Sequence, residues 1–67
     1  MISDLDVYRS ANVIIMQYGE DAQIHSIMRA RAMLDKGDLD AYAVWKRILR
    51  AVEEVQRAEP KLGEAVH

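Results

Sequence analysis

Three serines, a mid-chain histidine and a set of helix-spaced acids are the side chains with which this sequence could do chemistry. Ser3, Ser10 and Ser26 are the candidate nucleophiles, and a serine hydroxyl becomes one only beside a general base. Ser3 stands where a helix N-cap is wanted, and neither Ser10 nor Ser26 has a base in helical register. The acids gather at predicted helix starts, where capping and the helix dipole account for them without acid–base work. His25 projects away from the apolar side of its helix, toward Arg29 and Lys36, and the residue four further on is Arg29, which completes no metal pair. Cysteine is absent, which removes disulfides and thiolate zinc sites together. No glycine-rich loop offers a phosphate cradle. These residues predict a protein that is not an enzyme and has no cofactor, metal or small-molecule ligand.

Arg29, Lys36, Lys46, Arg47 and Arg50 form a candidate basic patch around a predicted hairpin. Trp45-Lys46-Arg47 with Arg50, on the last of three helices, is similar in outline to a homeodomain recognition helix. The likeness breaks at Ile48, an apolar residue where that family places its adenine-reading Asn, and at the acidic start of the chain. A formal net charge of −2 also argues against a coat for nucleic acid. Contact with nucleic acid through the patch stands as the alternative reading, behind a solvated basic surface.

The elements that must position these groups are helices. From Gly37 to Pro60 the residues Tyr42, Trp45, Ile48, Leu49, Val52 and Val55 fall on one side at about 100° per residue, with Ala43, Arg47, Arg50, Glu54 and Arg57 behind. A first helix opens at Ser3, with Asp6 at the capping-box position and Ile2 and Val7 placed as a staple. It carries Val7, Tyr8, Ala11, Ile14, Ile15 and Tyr18 to a stop at Gly19. The second begins within Glu20 to Ala22 and runs to Lys36, lined by Ile24, Ile27, Ala30 and Leu34, with Arg31 in the same sector. Gly37 then ends one helix while Asp38 caps the next, which predicts an antiparallel αα-hairpin.

The expected fold is therefore all-α, a small three-helix bundle made of helix 1 and an αα-hairpin. Its core would be Tyr8, Ile15, Tyr18, Ile27, Leu34, Leu49 and Val52 around a central Trp45. Residues 1–60 form the single domain, and 61–67 a loose tail in which only Leu62 and Val66 are fit to dock.

A domain of 67 residues buries only about 60% of the surface of its unfolded chain. One core of this size rarely supplies more than ~3–5 kcal/mol. With disulfides and thiolate zinc excluded, association with a second copy is the expected supplement. Val13 and Met16 face away from the first helix's apolar stripe, and Val52 and Val55 lie near the end of the third. These four are the candidate partner interface, for a homodimer or another protein. The apolar face of the third helix is needed by the bundle itself, so no membrane role follows. The absence of a basic segment followed by an apolar run at the N-terminus gives cytoplasmic residence as the expectation.

Tyr18-Gly19-Glu20-Asp21-Ala22, Met28-Arg29-Ala30, Gly37-Asp38-Leu39-Asp40 and Val44-Trp45-Lys46-Arg47-Ile48-Leu49 together resemble a family of short bacterial proteins classed as a domain of unknown function. The resemblance covers about Asp4 to Gln56. It implies a compact helical domain from a bacterial cytoplasm and brings no catalytic residue or ligand with it.

Overall fold

The computed structural model describes residues 2–58. The chain is all-α: α1 (Asp4–Tyr18), one 3-10 turn (Gly19–Asp21), α2 (Ala22–Asp35) and α3 (Leu39–Ala58), with no strand among the described residues. The stop expected at Pro60 and the tail 61–67 lie outside the described residues.

Local chemistry sets the helix ends. The Ser3 hydroxyl accepts a hydrogen bond from the Asp6 N–H at 3.2 Å and donates to the Asp6 carboxylate at 3.0 Å. Asp6 thus closes on the cap's hydroxyl, where a capping box would close on its backbone N–H. At the far end Gly19 takes a left-handed φ of 55° and its N–H returns to the Ile15 carbonyl. Gly19 departs from helical backbone for one residue only: the 3-10 turn that it opens leads directly into α2, so residues 4–35 make one bent rod. A clamp from α3 holds the bend. Gln56 donates through Nε2 to the Gly19 carbonyl at 2.9 Å and accepts from Gln23 Nε2 at 3.2 Å.

The turn after α2 has the hydrogen bonds of a Schellman motif. Asp38 N–H reaches the Met33 carbonyl at 2.9 Å and Gly37 N–H the Leu34 carbonyl at 3.0 Å, with Gly37 at φ 78°. Asp38 then caps α3, accepting the Ala41 N–H on its side chain at 3.0 Å. Gln23 meets Gln56 at one end, and Leu34 and Tyr42 line one groove at the other, so α2 and α3 are antiparallel. α1 packs on another side of α3, Asp4 meeting Arg47 and Tyr8 meeting Glu54, and over this stretch the two run in the same sense. α3 is the element that both of the others pack against.

The core differs from the expected one. Among the described residues the buried apolar set is Val7, Ala11, Ile14, Ala22, Ala30, Ile48, Ala51 and Val52, half of it alanine. Ser26 is buried with them, its hydroxyl donating to the Ala22 carbonyl at 2.9 Å. Val52, fully buried, is in the core as expected, and Ile15 and Leu49 are half-buried. Trp45 is half-buried and packs on the cluster from its margin. Tyr8, Tyr18, Ile27 and Leu34 are exposed.

The physical reason is helix contact. The α2 line that meets the core is Ala22-Ser26-Ala30, one small residue per turn, and interaxial distance follows the size of the side chains at the contact. Ile27 and Leu34 are rotated about 80–100° from that line at 100° per residue, onto the flank. Tyr8 is about 100° from Val7 in the same way. Tyr18 is in line with the buried side of α1 but occupies its last turn, where the chain bends.

Three substitutions test this account. Val52→Ala should lower stability by about 2 kcal/mol, from lost burial and the cavity left behind. At Gly37 an added Cβ meets nothing within 4 Å, so the cost of Gly37→Ala comes from the left-handed backbone alone. It should be about 1 kcal/mol, and Gly37→Asn should cost less. Urea unfolding followed by far-ultraviolet circular dichroism measures all three.

Candidate functional site

Three surfaces flank α3. The first is a charged cleft of about 590 Å³ between α1 and α3, walled by Asp4, Val7, Tyr8, Arg47, Arg50, Ala51, Glu53, Glu54 and Arg57. One ion pair and one phenol–carboxylate hydrogen bond cross it from α1 to α3. Arg47 donates to the Asp4 carboxylate at 2.6 Å and to the Ile2 carbonyl at 3.0 Å, tying the start of the chain to α3. The Tyr8 hydroxyl donates to the Glu54 carboxylate. That hydrogen bond, then desolvation, then the charges of Glu54 and Asp4 push the phenol above its ordinary pKa of 10.0.

The second surface is a ladder of rings and one cation, and the sequence reading missed it. Tyr18 and His25 stack with centroids 4.0 Å apart and planes 14° from parallel. His25 meets Trp45 edge-on at 6.0 Å and 78°, and the Arg29 guanidinium lies 5.5 Å from the Trp45 ring centroid. His25 is therefore half-buried, not an outward solvent residue. The missed signal was the spacing: Tyr18 and His25 are seven apart, two turns of one helical face, across a junction read as a break. Trp45 meets α2 through His25 and Arg29, where Ile27 or Leu34 was expected.

The third is a groove of about 330 Å³ between α2 and α3, lined by Ile27, Ala30, Arg31, Leu34, Asp35, Tyr42, Lys46 and Leu49. Beside it Ile24 and Met28 are exposed, Met28 by 66%, so the apolar surface extends over the outer side of α2. Arg31 is exposed at its edge.

The expected site residues divide among these surfaces. Val13 and Met16 lie on the outer face of α1, Met16 85% exposed, with Leu5 on the same side. Val52 cannot belong to a partner interface, since its side chain is fully enclosed by its own chain. Val55 is half-buried. The five basic residues do not form one patch: Arg47 and Arg50 line the first cleft, and Lys46 lines the α2–α3 groove. Lys46 sits 5.7 Å from the Tyr42 ring, Arg29 rests on Trp45, and Lys36 is exposed at the hairpin end. Of the candidate nucleophiles, Ser3 is a cap, Ser26 is buried and bonded, and Ser10 is half-buried. Among the described residues no three His, Asp or Glu side chains gather as a metal site, and no helix is long and apolar enough to cross a membrane.

No protein-family profile, curated protein or solved structure matches the chain.

Tyr8 provides a titration test. Its raised pKa means the fold favours the neutral phenol, so this contribution to stability is intact below pH 10 and is lost as pH rises through the folded value. An alkaline titration of absorbance near the phenolate band should contain a late component that Tyr8→Phe removes. Glu54→Gln should bring that component back toward the ordinary range.

Proposed function

We propose that the chain is a noncatalytic interaction module that acts by associating with a second copy of itself. One observation carries this reading: the large apolar side chains are mostly outside and the small ones inside. Leu5, Val13, Met16, Ile24, Ile27, Met28 and Leu39 are each at least half exposed, while half of the buried apolar set is alanine. Burial is worth about 25 cal/mol per Å², so this distribution leaves much of the chain's hydrophobic stabilisation unused in the isolated subunit. A partner surface would use it, and contiguous apolar surface marks such contacts. The engagement of the Ser3 and Ser26 hydroxyls in caps and helix bonds supports the noncatalytic half of the reading. The resemblance to short bacterial helical proteins supports a cytoplasmic setting.

Sedimentation equilibrium from low to high micromolar concentration tests it. The expected result is a mass that climbs from one subunit to two. A single subunit across the whole range would overturn the reading.

A further inference from the structure

Resting on that reading, we propose that the seam between two copies is the α2–α3 groove, closed about a two-fold axis at the level of residue 33, with Arg31 of each subunit paired with the partner's Asp35. A two-fold interface is isologous: the same patch lies on both sides, so it must be complementary to itself. Two identical helices packed antiparallel place each residue opposite one equally far beyond the axis. Arg31 and Asp35 are opposite charges four positions apart, both lining the groove. An axis midway between them brings each to the other's counterpart, forming two ion pairs at once.

The same axis settles the apolar residues. Leu34 comes to the axis beside its own counterpart, and Ile27, past the last turn of the partner's α2, faces the partner's hairpin end. Lys46, in the same groove, adds a second cation toward the partner's Asp35. Moving the axis to the level of Arg31 would instead set the two guanidinium groups against each other, a like-charge contact that opposes pairing. The outer face of α1, with Val13 and Met16, is the flank of a single helix.

Charge reversal tests the seam. Arg31→Asp alone and Asp35→Arg alone each place like charges at both contacts, and each variant should self-associate about tenfold or more weakly than the wild type. Mixing the two in equal amounts restores opposite charges at both contacts, so a heterodimer should form where neither variant pairs with itself. Both positions are exposed, and circular dichroism verifies that the subunits stay folded. A wild-type dimer untouched by either reversal, or lost instead with Val13→Glu and Met16→Glu, would overturn the seam and leave self-association standing. A dimer weakened by both reversals with no recovery on mixing would overturn the reciprocal pairing. A monomeric wild type would remove the proposed function and the seam with it.

Discussion

The structure depends on helices approaching one another over small side chains. Ala11, Ala22 and Ala51 share one buried cluster with Val52, and Trp45 packs against that cluster only partly buried. From this follows the position of Trp45 at the margin, with its ring against Arg29 and His25. The displacement of Ile27 and Leu34 to the flank of α2 follows too. Small residues bury little apolar area each, so a core that is half alanine contributes less hydrophobic stabilisation than one built from larger side chains.

Helix ends were legible because their chemistry is local. Ser3, Gly19, Gly37 and Asp38 act within five residues of themselves, and those neighbours alone are enough to place a cap or a left-handed turn. The faces of α1 and α3 were legible in outline, since Val7, Ala11 and Ile14, or Ile48 and Val52, recur at helical spacing. α2 was not. Apolar residues occur around much of it, so periodicity favoured the larger Ile24, Ile27 and Leu34, while the tertiary contact selected Ala22, Ser26 and Ala30. Size matching between helices is a property of two segments at once, and neither segment states it alone.

The candidate site was legible to a similar degree. Val13 and Met16 are exposed on the outer face of α1, whereas Val52, expected both in the core and at a partner interface, is the most enclosed large residue of α3 and belongs to the core alone. Arg47 illustrates another limit. Its bond partners, Asp4 and the Ile2 carbonyl, are more than forty residues away in sequence, and no spacing rule links them. Once that tie is known the basic residues cease to be one surface, and α3 becomes a divider, with a charged cleft on its α1 side and a more apolar groove on its α2 side.

The Gln56 amide has a consequence for how the chain assembles. The angle between the first two helices is held by a side chain 37 positions beyond Gly19, so the bend has no long-range lock until the third helix has folded back. An emerging chain could form its first two helices and still sample a range of elbow angles. The Tyr18–His25 stack narrows that range, and packing of α3 on both helices fixes it, which makes shape a later property than the helices themselves.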